Sequence, residues 1–348
     1  MVKSDEPGQA SLRQGYKPEP IQSSPVFRWP PQTVAVLRWF LGFPGFLWPW
    51  PAFFFVLAVV CQEWLTPVLF DAGGLLPQGA ALVFLRNSAL LVAFVSLWHV
   101  HLYVSKAQGT SYKYDHRWPF TDDRVFLFRS QLWDNVFWTV CAAVPIWTAY
   151  ELVTVWLQTT GFSPATSWTD RPTYCLLLLL ATPVWLQTHF YITHRLIHWK
   201  PLYKSVHYIH HKNVNPGPWS GLAMHPIEHL IYFSAIIPYW FIPTHPTHTM
   251  YALLFLALGA SMAHHGFHKV KLAGDTYLPT DHYMHYLHHK YVSVNFSVGG
   301  LLPLDKWLNT FHDGSDSATE ELKRRTRERI LLTRRKQGAA NQADQQSL

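Results

Sequence analysis

The chain has 348 residues, of which 49% are hydrophobic and 16% aromatic, and only 14% are charged, where soluble domains carry roughly 25%. That balance excludes an ordinary soluble or disordered protein and makes membrane insertion the default reading. The net charge of +7 points to contact with anionic lipid and not to nucleic acid, because no aromatic-interleaved basic fold accompanies it.

Residues 1–40, with Pro18, Pro20, Pro25, Pro30 and Pro31, read as an exposed or interfacial arm. The apolar stretch that follows is interrupted by Pro44, Pro49 and Pro51. It lacks the basic start, short core and small-residue cleavage site of a secretory signal, so it is read as retained. Spans are expected near Phe43 to Gln62, Ser88 to Val104, Trp133 to Leu157, Tyr174 to Phe190, Ile227 to Pro243 and Thr247 to Met262, several of them near the roughly 20 residues that cross a hydrocarbon core. The last two are joined by Pro243 to Pro246, short enough only for a hairpin of antiparallel helices. The expected fold is therefore all-α, a polytopic membrane bundle of about six spans in three hairpins with a cytosolic, helical, histidine-rich cap. Its organisation would be the arm (1–40), a membrane hairpin with a cytosolic loop (41–131), a catalytic domain (132–314) and a basic tail (315–348).

Lys106, Lys113, Arg117, Arg124 and Arg129 follow the second span, Arg195, Lys200, Lys204 and Lys212 follow the fourth, and Lys and Arg recur from Lys323 onward. The loops near Leu65 to Gly79 and Thr159 to Thr173 carry little positive charge, so both termini and the basic loops should face the cytosol. The tail from Lys323 to Lys336 is either an amphipathic surface helix or a solvated charged segment. Cys61, Cys141 and Cys175 form neither a disulfide framework nor a CxxC site and read as small core residues.

Seventeen of the 21 histidines fall between His189 and His289. They cluster as HRLIH at His194 and His198, HYIHH at His207, His210 and His211, HHGFH from His264 to His268, and HYLHH at His285, His288 and His289. Imidazoles three or four residues apart share one helix face, so each block can aim two or three nitrogens at a common point. A lone histidine is ordinarily a hydrogen-bonded or surface residue, but four spaced blocks exceed the needs of one ion and fit two. The charge-based topology brings all four blocks to one side of the membrane without reference to the histidines. Nitrogen-only coordination suits iron, copper, zinc or nickel, and the lack of thiolates argues against a structural zinc or iron-sulfur centre. HPIEH, His225 to His229, has the wrong order for an HExxH protease.

The blocks HRLIH, KSVHYIHHK, HPIEH and HYLHHKYVSVNF, closed by LDKWLNTFHDG at Leu304 to Gly314, resemble the fatty acid hydroxylase/sterol desaturase superfamily of integral membrane di-iron oxygenases over roughly 132–314. The resemblance implies two iron ions, O2 as co-substrate and attack on an unactivated C–H bond of a lipid. It also implies an external electron donor, cytochrome b5 or a ferredoxin with a reductase. The implied ligands are His194, His198, His207, His210, His211, His264, His268, His285, His288 and His289. His189, His265 and His282 stand close enough in sequence to replace one of them; HRLIH is preferred because Arg195 and the following Pro-Leu-Tyr-Lys resemble the sterol desaturase branch. His225, Glu228, His229, Asp281, His282 and Asn295 are candidates for supporting the ligands, Glu228 by accepting a ligand's second N–H.

Lipid hydroxylation is the first expectation, sterol ring desaturation the second and ether-lipid oxygenation the third. A metal transporter would place its histidines at the bilayer midplane on broken helices, and a bis-histidine cytochrome would not need HxxHH blocks. No HPGG or CxxCH motif supplies a fused electron carrier. The compartment would be the endoplasmic reticulum in a eukaryote or the inner membrane in a bacterium.

Overall fold

The computed structural model describes residues 15–66, 75–272, 274, 276–280 and 282–346. The first 14 residues of the arm and most of the Leu65 to Gly79 loop lie outside that set. The described chain is built from helices α1 (Thr33–Leu41), α2 (Trp50–Val60), α3 (Pro77–His99), α4 (Gln131–Trp138), α5 (Val144–Thr159) and α6 (Pro172–Ile197). They are followed by α7 (Lys200–Leu202), α8 (Tyr208–His211), α9 (Pro226–Phe233), α10 (Pro246–His264), α11 (Tyr283–Tyr291), α12 (Leu304–Trp307) and α13 (Asp316–Gln346). A two-stranded antiparallel hairpin, β1 (Lys269–Lys271) with β2 (Tyr277–Pro279), pairs Val270 with Leu278.

Several helices open with proline at their first turn, where the missing N–H costs nothing: Pro77, Pro172, Pro226 and Pro246. π turns extend α2 to Leu65 and α3 to Val104, and another, Thr139–Ala143, joins α4 to α5. Among the described residues three helical stretches are long and apolar enough to cross a membrane: Pro77–Val104, Gln131–Thr159 and Pro172–Ile197. Trp50–Leu65 is apolar but shorter.

Of the last two expected spans, the second forms a single helix and the first does not. Ile227 to Pro243 is not one helix; α9 stops at Phe233 and a 3-10 segment, Ser234–Trp240, carries the chain on through Pro238. Thr247 to Met262 falls inside α10, but 16 of that helix's 19 residues are buried, which makes it the central helix of the protein. It packs against α2, α3, α5 and α6, and Phe54, Val144, Trp147, Leu186, Phe233, Tyr251 and Leu254 belong to the core around it. Hydrophobicity alone is the same for a lipid-facing and a protein-facing helix, which is why the sequence pattern did not separate them.

Inside this apolar body lies a polar knot. Arg86 of α3 pairs with Glu151 of α5, both buried. Asn87 Nδ2 donates to Glu151 Oε2 at 2.9 Å and lies 3.3 Å from Thr148 Oγ1, and Arg86 Nη1 donates to Thr66 Oγ1 at 3.3 Å. A buried ion pair is tolerated when its remaining donors and acceptors are also met, as they are here.

The described part of the N-terminal arm lies against the far end of the chain. Ile21 N donates to Asp313 O at 2.9 Å, Lys17 pairs with Asp316 at 2.7 Å, Lys306 Nζ donates to Ser23 Oγ at 2.6 Å, and Phe27 meets Trp307 edge to face. The basic tail is the long helix α13, exposed over most of its described side chains and laced by pairs such as Arg324 with Glu321 and Glu328.

Candidate metal centre

Helices α6 and α10 end side by side, and their last turns carry His194 and His264. His198 caps α6. Pro201 starts α7 one residue after the turn, and a π turn, Tyr203–His207, leads into α8. On this segment His207 and His211, four residues apart, face one way and His210 faces another. On α11, His288 faces one way while His285 and His289 face the other.

The result is two nests of nitrogen. His194, His198, His207, His211 and His288 form one; His210, His264, His285 and His289 form the second; within each, the ligand atoms all lie within 4.8 Å of one another. The nests are neighbours: the rings of His211 and His289 stack at 4.7 Å, and those of His285 and His288 at 5.6 Å.

In the first nest the Nε2 atoms of His194 and His207 are 3.2 Å apart, those of His198 and His207 3.0 Å, and those of His288 and His211 3.0 Å. In the second, His264 Nε2 lies 3.1 Å from both His210 and His289 and 2.9 Å from His285. These contacts cannot all be hydrogen bonds. His194 Nδ1 donates to Phe296 O at 2.7 Å, His207 Nδ1 to Glu228 Oε1 at 2.7 Å, His264 Nδ1 to Ala260 O at 2.7 Å and His288 Nδ1 to Val294 O at 2.6 Å. With the proton fixed on Nδ1, each Nε2 presents a bare lone pair, so His194 and His207 face each other acceptor to acceptor. A cation resolves that repulsion, and one binding imidazoles at about 2.0–2.1 Å would hold neighbouring nitrogens roughly 3 Å apart. The residues therefore fit two metal ions. Burial pushes the imidazoles of His207, His210, His211, His285, His288 and His289 well below their ordinary range, and the crowding of other imidazoles adds to it. They are neutral, the form that binds metal.

The supporting layer has a clear origin. The loop after α11 supplies the carbonyls of Val294 and Phe296. Asn295 holds that loop by donating to Met284 O at 3.3 Å and His312 O at 2.8 Å, while its Oδ1 accepts from His312 N at 2.7 Å. Asp305, fully buried, accepts from Phe296 N at 2.8 Å, Ser297 N at 2.9 Å and Thr310 Oγ1 at 2.6 Å. Asp305 escaped the sequence reading; its only signal was the LDKW segment, whose aspartate looks like any helix-start residue.

Of the ten candidate ligands, His268 stands apart. The blocks were read as helical, but α10 stops at His264 and Gly266 takes φ +83°, so His268 does not share a face with His264. Its Nδ1 lies 3.3 Å from Tyr114 Oη and its ring leans on Tyr16. His189 contacts Ser234 Oγ at 3.0 Å, and His265 accepts from Phe267 N at 3.1 Å; neither joins a nest. Among the proposed supporters, His225 caps α9 by accepting from Ile227 N at 3.1 Å, and His229 is buried without a hydrogen bond to any ligand. His282 sits beside His265 with its ring centroid 6.1 Å away. Asp281 lies outside the described residues.

A cavity of about 530 Å³ opens onto the nests. His194, His207, His210 and His264 form its metal end, and Leu186, Phe190, Met224, Tyr232 and Phe255 line its body.

The model of the family described as fatty acid hydroxylase matches residues 178–310, the stretch that holds both nests. That stretch is similar to the fatty acid hydroxylase/sterol desaturase superfamily. A Delta(7)-sterol 5(6)-desaturase of Candida glabrata is 27% identical over 67% of this chain and 64% of its own length. The methylsterol monooxygenase erg25B of Aspergillus fumigatus is 31% identical over 40% of this chain and 47% of its own. A Delta(7)-sterol 5(6)-desaturase of Candida dubliniensis is 29% identical over 36% and 32%. The chain thus spans less than two thirds of the length of these relatives. No solved structure matches it.

Proposed function

We propose that the protein is a membrane-bound, di-iron, O2-dependent oxidoreductase that hydroxylates a C–H bond of a lipid, fatty acyl or sterol. The observation that carries the reading is the convergence of nine imidazoles in two adjoining nests at the end of an apolar cavity, with His194 and His207 facing each other acceptor to acceptor. His194, His198, His207, His211 and His288 would hold one ion and His210, His264, His285 and His289 the other. Bound iron would supply the O2 chemistry, with two electrons from an external donor, cytochrome b5 or a ferredoxin with its reductase.

The chain's own part is positioning and exclusion. Glu228 and the carbonyls of Phe296, Ala260 and Val294 fix the ligand tautomers, and the neutral donor set leaves the charge of the metal pair uncompensated. The apolar walls keep bulk water from the reacting carbon and hold it against the metal end. The basic segments after the membrane helices would face the cytosol, in the endoplasmic reticulum of a eukaryote or the inner membrane of a bacterium.

Sterol ring desaturation is the second reading, favoured by two relatives named Delta(7)-sterol 5(6)-desaturase. Expression of wild type and His288→Ala in a host with sterol and acyl pools, followed by mass spectrometry of lipid extracts and metal analysis, separates the readings. A metal-dependent gain of one oxygen supports hydroxylation, and a loss of two hydrogens supports desaturation. Lipids unchanged by a wild type that carries iron would end both.

A further inference from the structure

Gln187 lies on α6 seven residues before His194, about 10 Å back along the helix, and lines the same cavity. Its Oε1 is buried and accepts no hydrogen bond. Helix α6 is one of the three stretches long and apolar enough to cross a membrane, a setting in which water is scarce and an unmet amide is costly. Pro183, Leu186 and Phe190 flank it on its own helix, and Gly299, whose added Cβ would stand 3.2 Å from Nε2, faces it without a side chain. With Oε1 shielded, Nε2 is the amide atom left open to a polar group that enters with the ligand.

The charge inventory of the cavity says what kind of group. Among the described residues Arg28 and Glu228 are the only formally charged side chains on its wall. Arg28 is exposed and turned to Ser23 O at 3.1 Å, and Glu228 is engaged by His207. No buried cation is placed to neutralise a carboxylate or phosphate, and burying such a charge unpaired is prohibitive. A neutral hydroxyl can pair with either atom of an amide, and a neutral carbonyl can accept from its N–H.

We propose that Gln187 is the specificity-determining anchor of the cavity, hydrogen-bonding the single neutral hydroxyl or carbonyl of an otherwise apolar lipid and so setting which carbon reaches the metal end. This rests on the cavity being the substrate site of a lipid oxidoreductase. It excludes free fatty acids and phospholipid headgroups from the inner part of the cavity, and it ties the position attacked to its distance from the anchored oxygen.

The test is binding, which needs no turnover. The full-length protein in lipid nanodiscs is equilibrated with cholesterol against cholest-5-ene, and with hexadecanol against hexadecane, and retained ligand is quantified by mass spectrometry relative to empty discs. The wild type should prefer at least one alcohol over its hydrocarbon by roughly tenfold. Gln187→Leu should abolish that preference while retaining the hydrocarbon and the wild-type metal content, which certifies its fold. Gly299→Ala gives an independent handle, since its methyl would sit 3.2 Å from Gln187 Nε2 and should shrink the preference without changing Gln187. Should Gln187→Leu fail to assemble, Gly299→Ala decides the matter. No preference in the wild type, or full preference retained in the variants, would overturn the anchor. A wild type that prefers the alcohol but, when loaded with iron and supplied with O2 and a reducing electron donor, makes no oxidised product removes the oxygenase reading and leaves the anchor standing.

Discussion

Two buried polar clusters in this molecule solve the same problem in opposite ways. The Arg86–Glu151 knot carries full charges, yet each charge meets its complement, and Asn87, Thr148 and Thr66 complete the set. The histidine nests carry no formal charge, yet their lone pairs converge on one another. The first cluster is closed and holds helices together; the second is open and asks for a cation from outside. Buried polarity therefore marks a site only when its hydrogen-bond accounts do not balance internally.

The contrast breaks most sharply under substitution. His288→Ala removes a ligand and, with it, the grip of α11 on the first nest. Metal content should fall from about two ions per chain to less than about one, with no detectable turnover, as read by plasma mass spectrometry of the purified protein. Arg86→Leu strands Glu151 in an apolar surround and should cost about 3–5 kcal/mol, with most of it recovered in Arg86→Leu/Glu151→Leu because both charges then leave together. Denaturation midpoints in detergent would show that recovery. No pair of histidine-to-leucine changes should rescue metal binding in the same way.

Smaller effects sharpen the comparison. Glu228→Ala frees the His207 ring to rotate and should weaken metal affinity roughly 10- to 100-fold, measured by competition with a chelator. Asp305→Asn turns one acceptor into a donor facing a backbone N–H and should lower stability by about 1–3 kcal/mol with nearly full metal content. His268→Ala should leave metal content at the wild-type level; a loss of one ion would return His268 to the ligand set.

The two clusters were also unequally legible. His207 with His211, and His285 with His289, could be read because four-residue spacing on a helix is itself a geometric statement. His268 was misplaced because that statement holds only while the helix lasts, and Gly266 turns the chain first. The Arg86–Glu151 knot is formed by residues 65 positions apart in sequence, and Asp305 acts on a loop eight and nine residues before it; no local pattern encodes such pairings. The bundle itself was legible in its apolar stretches. That α10 is a core helix was not, because an alanine- and leucine-rich run is equally at home against lipid or protein.

The cavity wall has two origins. The matched domain, 178–310, supplies both nests and the inner wall, but a third of the lining residues, from Ile21 to Phe54, lie far upstream of it. The nests and Gln187 thus stand on one stretch of chain and the rest of the cavity's shape on another. Two proteins could share every histidine described above and still diverge in diet, and grafting the first sixty residues of one onto the other would exchange the shape of the mouth while leaving the teeth in place.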